Sequence, residues 1–279
     1  MPPVRARVPR RCAVRARVGV LEDVLGPAGG GPVRGMAMHQ LGKGLFEADH
    51  FEDALSVQEA ELSTRRRLRD TEHNILCVQG NLAITYDMMG QLDRAQQMMR
   101  DVYCGSLKLF GEESEQTLVA VSNYARSLIE IGHFEEAKSL LGKTIPVARR
   151  ILSENHHLTL VLRNNYAWAL YMDDDATLDD LHESVNTLEE VQGIARRVLG
   201  AEHPTIGLIE AHLRTARVAL VAREMSARME DASARPRETL ARKDRLERAQ
   251  VAWTVAIVAE ARRRVAELRR TAADAEAPP

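Results

Sequence analysis

Four histidines and a run of acids are the residues of this 279-residue chain whose types could hold a metal ion. His73, His156, His157 and His203 fall in short polar breaks between helical patterns. Equivalent breaks in stacked helical units are expected about 10 Å apart, the spacing of packed helices, whereas metal–nitrogen bonds are about 2 Å. The spacing therefore points to turns and helix starts, and no metal is expected. The acidic run Asp173 to Asp180 invites calcium, but its sixth and twelfth loop positions hold Leu178 and Ser184, where a calcium loop needs a glycine and a bidentate glutamate. It reads as a solvated loop. Cys12, Cys77 and Cys104 share no ligand spacing and are odd in number, which fits a reducing compartment and no disulfide framework. Cys77 and Cys104 read as structural or spectator thiols. The chain has no phosphate-binding Gly-Lys-Ser/Thr loop, no dinucleotide fingerprint after a strand, no zinc-protease His-Glu pair and no nucleophile elbow. No catalytic residues, no cofactor and no enzymatic activity are expected.

A second set of residues suits a different chemistry. Asparagine side chains both donate and accept hydrogen bonds, so they can pair with the backbone of an extended peptide without demanding a sequence. Asn81, Asn123 and Asn165 recur at steps of 42 residues, within Gly80-Asn81-Leu82-Ala83, Ser122-Asn123-Tyr124-Ala125 and Asn164-Asn165-Tyr166-Ala167. The same step relates Leu76, Leu118 and Leu160; Leu68, Phe110 and Leu152; Gly90 and Gly132; and Ala95 and Ala137. A fourth copy begins at Leu199-Gly200-Ala201-Glu202-His203-Pro204, 47 residues after Leu152, the five extra residues falling in the acidic loop. A half-copy precedes them at Leu45, Phe51 and Ala54.

The elements that must position these asparagines follow from the period. Leu118, Val121, Tyr124, Ala125, Leu128 and Ile131 make one helical stripe. Gly132 breaks it, as glycine does at helix C-termini. A second helical pattern runs from about Phe134 to Leu152 through Ala137, Leu141 and Ile145. A two-helix unit cannot bury its stripe alone, so neighbours must stack. The fold expected is all-α: a right-handed superhelical solenoid of about four antiparallel helix pairs over residues 36–222. Pro146 lies inside the second pattern, and its ring clashes with the carbonyl four residues back. A kink or break is expected there.

The sequence Asn81 to Gly90, reading Asn-Leu-Ala-x-x-Tyr-x-x-x-Gly, then Ala95, then Leu-Gly-x-x-His-Pro at Leu199 to Pro204, resembles tetratricopeptide repeats. In particular it is similar to the 42-residue version of kinesin light chains. The resemblance implies a non-catalytic protein-interaction scaffold in which the first helix of each pair lines a concave groove. Carried over position by position, the groove residues are Asn81, Ile84, Met88, Ser122, Asn123, Arg126, Asn164, Asn165, Trp168 and Met172. Trp168 and Met172 would supply an apolar pocket. The other reading is that the asparagines satisfy neighbouring loops and Trp168 packs between repeats. The partners implied are a protein or peptide, with a kinesin heavy chain or a cargo among them.

The net charge of −2 hides an asymmetry. Residues 1–35 carry +5, residues 235–270 carry +6, and the body between, 36–234, carries −11. Residues 1–35, Arg-rich and interrupted by proline and glycine, read as a basic disordered or targeting segment, with Gly29-Gly30-Gly31-Pro32 as a linker. The longest apolar stretch, near Val251 to Ala259, is about half of a bilayer span. No membrane partner is expected, and a cytoplasmic location follows unless the arginines direct import. Residues 223–236 read as a linker, 237–274 as one basic helix and 275–279 as a tail. Val251, Val255, Val258, Val265 and Leu268 give that helix a stripe, with Ala261 filling a gap. Three heptads would make a short coiled coil. The helix could drive a homo-oligomer, cap the last repeat or fold back on the acidic body. It lacks interleaved aromatics, so nucleic acid is not its expected ligand.

Overall fold

A computed structural model describes residues 31–234 and 240–275, with side chains at 34–229 and 246–267. The basic segment 1–30, residues 235–239 and the tail 276–279 lie outside the described residues. Among the described residues there are ten helices and no strand. They fall into two units divided after Ile131.

The first unit holds α1 (Gly31–Glu47), α2 (Phe51–Arg67), α3 (Glu72–Met88), α4 (Leu92–Phe110) and α5 (Glu115–Glu130), each packed on the next. The array thus begins before residue 36. Gly31 and Pro32, expected in a linker, open α1, because proline in a first turn removes only an N–H that would be unpaired anyway. The turns after α1, α2 and α3 close by paired bonds from the residues that follow the helix. Asp49 N–H donates to Phe46 O and His50 N–H to Leu45 O, and Gly90 and Gln91 do the same to Asp87 and Tyr86. This is the usual C-terminal closure around a left-handed residue, and Gly90 has φ 73°. The core of α2, α3 and α4 is Leu62, Val78, Leu82, Tyr86 and Ala95. Each fully buried leucine contributes about 1.5–3 kcal/mol. Helices α3 and α4 meet at Gly105, where a Cβ would lie 2.5 Å from Leu76 Cδ2. Polar ties join α2 to α3: Thr85 donates to Gln58 at 2.8 Å and Tyr86 to Glu59 at 3.0 Å. Arg65 bridges Glu61 and Asp70, and Asp70 in turn accepts from Asn74. Burial pushes the Glu61 carboxyl up despite that arginine.

The second unit holds α6 (Phe134–Leu152), α7 (His157–Met172), α8 (Leu178–Leu199), α9 (Pro204–Ala234) and α10 (Leu240–Ala275). Helix α6 is unbroken through Pro146. Gly142 and Pro146 are both exposed, so the carbonyl that proline leaves without a donor faces water. Helix α8 starts from a capping box: Thr177 Oγ1 accepts from Asp180 N–H, and Asp180 accepts from Thr177 N–H. Leu160, Leu162, Leu170, Leu188 and Ile209 are fully buried. Arg163, buried in α7, spans Glu154 and Glu190.

Helix α9 corrects one expectation. It runs 31 residues to Ala234, through most of the stretch expected as a linker. The reason is in the repeat itself. Gly90 and Gly132 end the first helix of their units, and the third ends at Met172 before the acidic loop with Asp174 at that position, but the matching residue of the fourth copy is the β-branched Val221. Nothing there can adopt the left-handed turn cheaply, and Pro236 is the first breaker. The helix overshoots, and α10 packs against it.

Candidate partner-binding face

In the first unit α3 and α5 carry four matched positions at the 42-residue step: Cys77 and Val119, Asn81 and Asn123, Ile84 and Arg126, Met88 and Glu130. On each helix these positions fall one above another, at steps of three and four. Cys77 and Val119 are exposed, and the other six are half-buried. Ser122, expected in the groove, is buried beside them. Arg126 reaches Asp87 of α3 at 3.4 Å and Glu130 at 4.0 Å, so its charge is matched within the face. The Cys77–Val119 position was missed from sequence. The 42-residue step connecting Cys77 to Val119 was the available signal.

The second unit treats the same positions differently. Asn164, Asn165 and Trp168 are buried, with Asn164 2% and Trp168 3% exposed. Trp168 stacks on His212 of α9 at 5.4 Å and 24°, and His212 Nδ1 lies 3.1 Å from Asn164 Oδ1. Tyr171 meets the same imidazole edge-on at 6.0 Å. Asn164 and Trp168 thus tie α7 to α9 in the interior, and Asn165 is buried beside them, because the fourth copy presents a flat ring where the others present asparagine. Met172 is half-buried and lines a cleft of about 470 Å³ walled by the 173–178 loop, α9 and α10.

The histidines are helix starters, as their positions suggested. His156 Nδ1 accepts from Leu158 N–H and His203 Nδ1 from Thr205 N–H, both at 3.3 Å. Their turns are closer than the estimate from helix spacing, since the His157 and His203 rings meet at 5.8 Å. Among the described residues no group of three or more His, Cys, Asp or Glu could hold a metal ion. The acidic loop is more tied down than a solvated loop would be. Asp173 accepts from Lys138 at 3.0 Å, and Asp174 meets Arg223 through its carbonyl and Arg262 through its carboxylate. Cys77 Sγ lies 3.9–4.0 Å from the His73 ring nitrogens one turn away, on an exposed helix surface. Among the described residues no helix is long and apolar enough to cross a membrane.

Residues 78–115 and 117–158 match the tetratricopeptide repeat family TPR_10. These are tetratricopeptide repeats. Two solved structures, one from Podosopora anserina and one from P. vanneervenii, share their arrangement. A single-substitution variant of the first, assigned as a kinesin light chain with nearly identical TPR-like repeats, is 21% identical with TM-score 0.56, covering 82% of this chain and 96% of its own. The second, BtubC (BKLC), is 16% identical with TM-score 0.58, covering 82% of this chain and 92% of its own. A comparison with curated proteins finds no match. The fold is that of kinesin-light-chain-like tetratricopeptide repeats.

Proposed function

We propose that this chain is a non-catalytic protein-interaction scaffold, and that the face of α3 and α5 holds an extended segment of a partner protein. The repeats and their likeness to kinesin light chains support an interaction scaffold. The observation that carries the finer reading is the matched, half-open register on α3 and α5. Asn81 and Asn123 offer a donor and an acceptor each at equivalent heights, suited to a peptide backbone. Ile84, Met88 and Val119 give the apolar contacts that would set side-chain preference. Asn164, Asn165 and Trp168 are spent inside the second unit and are left out of this site.

The test is a peptide library panned against the full chain, followed by titration of a selected peptide into the parent and into Asn81→Ala with Asn123→Ala. Two lost hydrogen bonds at about 1 kcal/mol each correspond to about thirtyfold weaker binding. Helicity and melting should be unchanged. Undiminished binding by the double variant overturns the asparagine reading.

One observation favours a second reading, self-association through the C-terminal helix. Val251 and Val255 of α10 are 63% exposed and Trp253 45%. If they form an interface between copies, Val251→Glu with Val255→Glu lowers the particle mass in light scattering. An unchanged mass removes that reading.

A further inference from the structure

The cleft in the second unit has an occupant of this chain's own, and its placement follows from the repeat. The four positions of the α3 face recur at Val161, Asn165, Trp168 and Met172 in α7, then at Leu208, His212, Thr215 and Ala219 in α9. Met172, Thr215 and Ala219 from this register line the cleft, and Thr254, Val258 and Arg262 of α10 form its opposite wall. The C-terminal helix therefore lies over the same first-helix face that α3 and α5 leave open.

We propose that α10 is a reversible, tethered occupant of this face, and that the face accepts a basic amphipathic helix from a partner when α10 leaves. The inference rests on reading the first-helix face as the binding face. Three observations carry it. The fit is incomplete: a cleft of about 470 Å³, partly open to solvent, stays between α10, α9 and the 173–178 loop, whereas a seam packed along its whole length closes to the density of a crystal. Val265 is buried, but Val251 and Val255 of the same apolar stripe stand 63% exposed, so only part of the stripe is engaged. The ion pair that joins α10 to the acidic loop is wet. Arg262 reaches Asp174 at 3.3 Å with side chains 46% and 89% exposed, and Gln250 donates to Ser226 at 3.0 Å. Exposed pairs of this kind add little holding strength and weaken with salt.

Charge selects the partner. The segment carrying α10 bears +6, against −5 on residues 132–234 of the unit it packs on, and Asp174 of the acidic loop is already met by Arg223 and Arg262. An incoming helix would repeat what α10 presents, small and β-branched residues at the spacing of Thr254, Val258 and Val265 with an arginine one turn after the second. The tether gives α10 a high effective concentration, so a partner must exceed it or the cis contact must be loosened.

The probe is a fluorescent synthetic peptide of residues 246–267, titrated into the full chain and into full-chain Val258→Asp with Arg262→Glu. Loosening α10 in cis should raise peptide affinity at least tenfold and speed hydrogen exchange across 254–265. Adding Asp174→Arg to that chain should cost about threefold, and a peptide with Arg262→Glu should recover it; this charge swap reads the site even where single variants lose stability. Equal peptide binding by parent and loosened chain, or no recovery by the swapped peptide, overturns the proposal and leaves α10 as a fixed cap. The variant Asn81→Ala with Asn123→Ala should not alter this titration, so loss of extended-peptide binding alone would refute the α3–α5 site and spare this one.

Discussion

Ser153 sits between α6 and α7 with φ 86° and ψ 162°, backbone angles that are essentially reserved for glycine. The repeat explains why it is there. Gly111, 42 residues earlier, has φ 79° and ψ 175°, and Gly200 in the next copy has φ 87° and ψ 158°. Three successive turns use one geometry, and serine occupies the middle one. A non-glycine residue held there costs about 1–3 kcal/mol. Glycine gives back about 0.5–1 kcal/mol through its freer unfolded chain. Ser153 is exposed, so little packing is lost with its side chain. Ser153→Gly should therefore stabilise the protein by about 0.5–2 kcal/mol, which is about 1–8 °C in melting temperature for domains of this size. The reciprocal Gly111→Ser should lower the melting of the first unit over the same range. Scanning calorimetry of the parent and both variants reads the two shifts. A Ser153→Gly protein that melts at or below the parent would refute the strain argument.

His212→Ala should cost about 2–4 kcal/mol in denaturant unfolding, from the lost ring against Trp168 and the orphaned Asn164; a cost below about 1 kcal/mol would show that the stack does not tie α7 to α9. Asp180→Asn should remove about 1 kcal/mol of cap energy at neutral pH. The Thr177 hydroxyl, then the Thr177 backbone N–H, holds the Asp180 carboxyl below its ordinary 3.8. Its contribution is thus present above the unfolded value and lost as pH falls through the lowered folded one. The gap between parent and variant should shrink below pH 3.8; a gap independent of pH would contradict this. Asp70, lowered by the Asn74 amide and then the Thr71 N–H, acts in the same direction. Glu61, raised chiefly by burial, acts in the opposite one, its share being lost as pH rises through its raised value.

The helix pairs were legible because packing repeats what the sequence repeats. Ala83, Ala95, Ala125, Ala137 and Ala167 are all essentially fully buried, where small side chains let helices close. What could not be read lies where the fourth copy departs from the others. Val221, with neither a turn-forming residue nor a loop beside it before Pro236, lets α9 run on, but an absent stop signal is hard to see in a single repeat. Trp168 and Asn164 hold groove positions by register, and only the partner ring of His212, 48 residues beyond Asn164, turns them inward. Pro146 keeps its helix because solvent sits beside it, a tertiary circumstance that a local rule omits. The basic stripe of α10 fitted a coil, a cap or a folded-back arm equally well, since one amphipathic face suits any of the three.

The central claim concerns where an extended partner lies. Hydrogen exchange of the full chain, free and saturated with a peptide selected by panning, tests it most directly. The account predicts slowed exchange in residues 77–88 of α3 and 119–130 of α5. Protection confined to α2 and α4, with α3 and α5 unchanged, would contradict it.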